Sequence, residues 1–186
     1  MQKLYVAMVG LPARGKSTLA KRIRDGLMTE GIAARLFNNG DMRRALIGAE
    51  STDPNFYDPN NKVGREAREM ICIRNMDQAR DWLAREGEVA ILDATNVSRA
   101  RRHLIETTLT DHPVLFVECV NEDQLLLNAC IRRKTTLPEY ASYTEEEALA
   151  SFMKRISYYE TIYEPLQDEK YWLRVDSTAN RILDER

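Results

Sequence analysis

The segment GLPARGKS at residues 10–17 constrains this chain more than any other. Gly10, Gly15, Lys16 and Ser17 fill the spacing G-x-x-x-x-G-K-[ST], and the flanks give the spacing physical meaning. An apolar run at 5–9 precedes it, and 17–30 follows with Leu19, Ile23 and Leu27 four apart. That order is strand, tight loop, helix. Glycines let such a loop turn its backbone N–H groups onto phosphate oxygens, and the helix N-terminus adds the positive end of its dipole. Lysine at 16 reaches the terminal phosphates of a nucleotide, and serine at 17 is placed to ligate Mg²⁺. Gly10, Ala13, Arg14, Gly15, Lys16, Ser17 and Thr18 are therefore the expected nucleotide site, with ATP and Mg²⁺ as cofactors.

The rest of the chain repeats the alternation. Strand-like runs at 34–37, 88–95, 114–120 and 171–177 are separated by helical patterns. Gly31 fits the left-handed residue just past the first helix. FNNGDMRR leads into a short helix, and STDPNFYDPNN at 51–61 reads as a long loop. Further helices are expected over 63–85 and 99–109. Another is opened by an Asn121–Gln124 capping box and ends near Lys134. A last one is opened by Thr144–Glu147 and runs to about 164. Strands and helices in alternation imply an α/β fold with helices on both faces. The expectation is a three-layer α/β/α P-loop NTPase fold with a mostly parallel central sheet, as a single domain over 1–186.

Composition narrows the function classes. Lys and Arg number 27 against 29 Asp and Glu, a net charge of −2, so no global bias draws nucleic acid or an anionic membrane. Cys72, Cys119 and Cys130 form no C-x-x-C, which suits reduced thiols in the cytoplasm. With only His103 and His112, no zinc site is expected. No apolar run reaches membrane-spanning length, and the start of the chain is too short for a signal peptide's apolar region.

Asp93 closes the apolar run VAIL, at the carboxyl edge of the expected sheet where ligands bind in open α/β folds. It reads as the acid that holds Mg²⁺ or helps deprotonate an acceptor hydroxyl; the plainer alternative is a cap on the next turn. The only Asn-Lys, at 61–62, is followed by Val-Gly and does not read guanine. Arg43, Arg44, Arg68, Arg99, Arg101, Arg102 and Arg155 fall near strand ends or on helices that would line a cleft. Arginine binds phosphate bidentately and keeps its charge, so several around one cleft suggest an acceptor that itself carries phosphate. Taken singly, each also reads as a solvated helix face.

Over GLPARGKS, FNNGDMRR, FYDPNNKVGREAR, ILDATNVSRARR, LFVEC, KTTLPEY and FMKRISYYETIYEPL, in that order, the chain resembles the kinase domain of 6-phosphofructo-2-kinase. That domain is usually fused to fructose-2,6-bisphosphatase. D-A-T-N-x-x-R-x-R-R and Y-E-x-x-Y-E-P-L are more specific than the phosphate-loop pattern alone. The resemblance implies transfer of the ATP γ-phosphoryl to the 2-hydroxyl of fructose 6-phosphate. It implies that Asp93 works near metal and acceptor, and that Lys134 is a second lysine on the transferred phosphate. Arg44, Arg68, Arg101, Arg155 and Tyr159, with Thr95, would hold the sugar phosphate, and Arg43 is grouped with them. Tyr159 has a packing alternative beside Tyr158 and Tyr163.

The chain departs from the family pattern in lacking an R-H-G stretch and a bisphosphatase half. Cys119 receives no role. Asp41 with Arg44 forms D-x-x-R, a spacing found in adenylylsulfate kinases and polynucleotide 5′-kinases, where the Asp is the base and the Arg binds a phosphate. Asp41 is thus a catalytic candidate beside Asp93, or the mark of another acceptor, or the N-cap of the helix MRRALIG. Two other functions stay in view: a kinase for a nucleotide or a polynucleotide 5′-hydroxyl, and a non-catalytic ATP-dependent switch. RARR at 99–102 without a basic excess argues against nucleic acid, so the expected partner is a small-molecule sugar phosphate.

Overall fold

The computed structural model describes residues 3–186. Strand β1 runs Leu4–Val9 and is buried from Tyr5 onward. Tyr5, Ala7 and Val9 face one apolar cluster, while Val6 and Met8 face another. A strand covered on both faces has no reason to alternate polar and apolar, which is why this run reads as continuously apolar.

Helix α1 (Lys16–Thr29) covers one face with Leu19, Ala20, Ile23 and Leu27. Gly31, at φ 78°, turns the chain out of it. Strand β2 (Ala34–Asn38), helix α2 (Asn39–Leu46) and helix α3 (Lys62–Arg85) follow. Asn61 caps α3 by accepting from the Gly64 N–H, and the buried Cys72, Met76, Ala79 and Leu83 form its inward stripe on the other face of the sheet. Next come β3 (Val89–Asp93), α4 (Arg99–Thr108) and β4 (Val114–Val120), then α5 (Gln124–Thr135), α6 (Glu145–Glu160), β5 (Trp172–Asp176) and β6 (Arg181–Glu185). The sheet order is β2-β3-β1-β4-β5-β6, parallel except for β6. Layers of helix, sheet and helix are those expected. The chain order reverses beside β1, so the loop after β1 opens into a crevice at the carboxyl edge of the sheet. No described helix is long and apolar enough to cross a membrane.

Several boundaries differ from expectation. The Asn121 capping box does not form: Asp123 caps α5, accepting from Leu126 N–H, while the Asn121 side chain accepts from Asp123 N–H and the Thr178 hydroxyl. Helix α6 ends at Glu160 rather than near 164. Pro165 disfavours helical backbone at Glu164, whose N–H goes to the Val97 carbonyl instead. The N-cap of α2 is Asn38, whose side chain accepts from the Asp41 N–H, so Asp41 is not the cap. Strand β2 runs straight into this helix, which makes the last strand residue the capping one. The 51–61 loop contains parts of two short 3₁₀ turns, Gly48–Thr52 and Pro54–Tyr57, with Ser51, Thr52 and Tyr57 buried. Strand β6 was not anticipated; every residue in it is exposed, so it has no apolar period.

Candidate active site

The phosphate loop is shaped by what lies behind it. Gly10 has φ 135°, and a Cβ there would lie 2.6 Å from the Cys119 carbonyl oxygen. Gly15 has φ 82°, and Ala13 takes a left-handed φ of 62°, a conformation that costs a non-glycine residue on the order of 1 kcal/mol. Ala13 is held there by a small core of Leu127, Ile131, Tyr140, Ala148, Phe152 and Ile156 beneath α5 and α6. The Arg14 guanidinium straps the loop to the Asn121 carbonyl at 2.6 Å. Lys16 is buried, and its ammonium donates to the Leu11 carbonyl at 2.5 Å. Burial pulls its pKa down to about 8; Asp93 works against that shift, while Lys134 and Arg155 add to it. These charges therefore act on one another across one space.

That space is a cleft of about 770 Å³. Ala13–Thr18 line one part of it. Asp93, Thr95, Arg44, Arg68, Arg101, Lys134, Arg155 and Tyr159 line the rest, so most of the expected site residues converge. Gly10 lies behind the loop and does not line the cleft. Asp93 is buried, and one of its oxygens accepts from the Asn38 amide. Its Oδ1 makes no hydrogen bond among the described residues. That free carboxylate oxygen and the Ser17 hydroxyl at the same cleft are hard donors, and they fit Mg²⁺. Burial, then the neighbouring Arg155, hold Lys134 below the usual lysine range. Among the described residues, Lys16, Lys134, Arg68, Arg101 and Arg155 form no ion pair.

Other candidates sort differently. Arg43 lines the cleft but is only 4% exposed; it donates to the Ser51 carbonyl at 2.8 Å, to the Ser51 hydroxyl at 3.0 Å and to Glu139. Its charge is spent on Glu139. Asp41 is not among the lining residues: its side chain is 74% exposed and pairs with Arg44 at 2.5 Å. Arg44 also approaches Glu139 at 3.6 Å. Arg99 pairs with Asp168 at the surface, and Arg102 is buried against Glu169; neither reaches the cleft.

Tyr57 was overlooked in the sequence, hidden in a stretch of turn-forming residues. Its ring centre lies 4.1 Å from the Arg155 guanidinium, 5.8 Å from that of Arg43 and 5.9 Å from that of Arg68. The Tyr159 ring packs at 5.8 Å. The Tyr57 hydroxyl and the Arg155 Nε are buried with no hydrogen-bond partner among the described residues. Burial pushes the Tyr57 phenol up to about 12, so it stays a donor. One aromatic ring thus props several of the cations that line the cleft.

The family model for 6-phosphofructo-2-kinase matches residues 1–176. The Homo sapiens 6-phosphofructo-2-kinase/fructose-2,6-bisphosphatase 3 is 36% identical over 169 residues, covering 89% of this chain and 32% of that protein. A probable 6-phosphofructo-2-kinase of Schizosaccharomyces pombe is 35% identical over 169 residues, covering 89% of this chain and 25% of that protein. The chain spans about a third or less of the length of these relatives. Among solved structures, APE1195 superposes with a TM-score of 0.64 at 24% identity, over 96% of this chain and 88% of that one. The Mycobacterium tuberculosis APS kinase CysC, in complex with AMPPNP and APS, gives 0.58 at 18% identity, over 93% and 88%. At these identities the structural likeness is one of fold.

Proposed function

Because the chain belongs to the 6-phosphofructo-2-kinase family, a family of kinases matched over residues 1–176, we propose that it transfers the γ-phosphoryl of Mg²⁺-ATP to a hydroxyl of a sugar phosphate, and that this acceptor is fructose 6-phosphate, phosphorylated at its 2-hydroxyl. The observation that carries the reading is the charge arrangement of the cleft. Five buried or half-buried cations without a carboxylate partner face a single space that also holds Asp93. That is more positive charge than one nucleotide needs, and it suits a second anionic group on the acceptor.

Each residue then has a task. The loop from Ala13 to Thr18 holds the donor phosphates, with Lys16 on the transferring group. Lys134 adds a second cation on that group. Ser17 and Asp93 would hold Mg²⁺, which when bound neutralises phosphate charge. Arg44, Arg68, Arg101, Arg155 and Tyr159, with Thr95, hold and orient the phosphorylated sugar, while Arg43 braces Glu139 behind them. The acceptor oxygen forms a bond to the γ-phosphorus as the bond from that phosphorus to the bridging oxygen breaks, and ADP departs. The hydroxyl proton leaves toward the Asp93 carboxylate, which is acceptor-only when ionised. Positioning and charge stabilisation do the chemistry. The reading also takes the chain as one kinase domain working in the cytoplasm, supported by the single sheet and by the free thiols Cys72, Cys119 and Cys130.

An acceptor screen followed by phosphorus NMR tests this. The panel holds fructose 6-phosphate, other sugar phosphates, adenylylsulfate and a 5′-hydroxyl oligonucleotide, each with Mg²⁺-ATP. Formation of acid-labile fructose 2,6-bisphosphate is expected. Turnover of another acceptor with silence on fructose 6-phosphate overturns the acceptor, and silence on all of them favours the non-catalytic switch.

A further inference from the structure

The turn at 177–180 lies just beyond the residues that the family model matches, yet it touches the phosphate loop. The Ser177 N–H donates to the Val120 carbonyl at 3.0 Å, which anchors the turn to the end of β4. The Ser177 hydroxyl lies 2.8 Å from the Arg14 carbonyl, with Val120 as its alternative acceptor at 3.1 Å. A Cβ on Gly15 would lie 2.9 Å from that hydroxyl oxygen, so loop and turn are in close contact. The Thr178 hydroxyl bonds the Asn121 side chain at 3.0 Å, beside the carbonyl that holds Arg14. Ser177 itself does not line the cleft, whereas Arg14 and Gly15 do.

The peptide bond joining Arg14 to Gly15 is trans and planar, so its C=O and its N–H point in opposite directions. Holding the Arg14 carbonyl back against Ser177 aims the Gly15 N–H forward. Among the described residues that N–H has no acceptor. We infer that Ser177 is a positioning residue for nucleotide binding: its hydroxyl fixes the 14–15 peptide plane so that the Gly15 N–H is preset toward the donor phosphates. This rests on the reading of the loop as the nucleotide site. The latch confers order on a stretch whose φ values at Ala13 and Gly15 a free loop would not keep.

The test is calorimetric titration of MgADP into the wild type, Ser177→Ala and Ser177→Thr, with unfolding midpoints measured beside it. Loss of one hydrogen bond that acts through preorganisation should weaken MgADP roughly three- to tenfold in the Ala variant. The Thr variant, which keeps the hydroxyl, should stay within about twofold of wild type on the same scale. In turnover the Ala variant should raise KM for ATP and leave KM for the acceptor alone. Unchanged affinity in Ser177→Ala, or equal weakening in both variants, overturns the inference. A wild type that binds no MgADP overturns the loop reading itself, and the inference with it; that result is distinct because it precedes any variant.

Discussion

Replacing Arg102 with methionine should destabilise the protein far more than a surface arginine would. Arg102 is 1% exposed. Its Nε donates to Glu169, its Nη1 to the carbonyls of Val97 and Glu164 at 2.9 Å and of Asn96 at 3.2 Å, and its Nη2 to the Pro165 carbonyl at 3.4 Å. One guanidinium thus ties the segment that follows Asp93 to the chain leaving α6. Methionine fills similar space but leaves Glu169, itself 5% exposed, without its cation. Breaking a buried pair from one side costs about 3–5 kcal/mol. In a chain of this size that lowers the unfolding midpoint by roughly 6–20 °C.

Glu169 gives the effect a pH signature. Burial, the largest single influence, would raise its carboxyl; the Arg102 hydrogen bond and charge together with backbone N–H donors, that of Gln167 among them, outweigh it and hold the group below the ordinary glutamate range. In the wild type its contribution is therefore present above the unfolded pKa and is lost as pH falls through the lowered folded value. In Arg102→Met only backbone N–H donors such as that of Gln167 still oppose burial, the largest influence, and the folded pKa should rise above the unfolded one. The folded state then binds more protons in that window, so the variant loses stability as pH rises through it. Urea titrations followed by fluorescence of Trp82 and Trp172 should show a deficit that is larger at pH 7 than at pH 5. The double variant Arg102→Met/Glu169→Leu should recover most of it, because no uncompensated charge remains. A deficit below about 1 kcal/mol at pH 7, or a double variant no more stable than the single, would refute the reasoning.

Lys16→Met should abolish turnover yet stabilise the ligand-free protein, since a buried ammonium with its pKa near 8 instead of 10.5 carries a desolvation cost of about 3 kcal/mol. That gain should be full below pH 8 and vanish toward pH 10.5, as thermal unfolding across pH would show. Tyr57→Leu removes the ring beneath Arg155 and should raise the acceptor KM about tenfold with KM for ATP unchanged, whereas Tyr57→Phe, which keeps the ring, should stay closer to wild type. Asp41→Asn should leave kcat within a few fold, because Asn38 and not Asp41 caps α2 and the Asp41 side chain points into solvent; a hundredfold loss would restore Asp41 as a base.

The phosphate loop, Asp93 and the alternation of elements were legible because each rests on local sequence. A strand buried on both faces, such as β1, announces itself as an unbroken apolar run, and a helix start such as Thr144–Glu147 carries its own cap. The arginines were harder. Arg43 and Arg102 look like Arg44 and Arg101 in the sequence. Their pinning role depends on Glu139 and Glu169, which lie 96 and 67 residues away. Asn38 and Asp41 are both good capping residues three apart, and only the path of the incoming strand decides between them. Tyr57 lies among residues that signal turns, and its importance comes from three arginines on other elements. Strand β6 exists because a short turn returns the chain beside β5, with no buried face to mark it.

The small core that holds Ala13 also fixes how two of the cleft's cations are mounted. Lys134 rides on α5 and Arg155 on α6, and both helices press into the same seven-residue apolar knot as the loop. Two of the cations that line the cleft, Lys134 and Arg155, are therefore braced against the loop, which is itself seated on the ends of β1 and β4. If α5 and α6 shift as a pair, the loop is drawn with them through Ala13. The spacing between Lys16 and Lys134 then depends on side-chain volume at a few apolar positions, most of them behind the wall of the cleft.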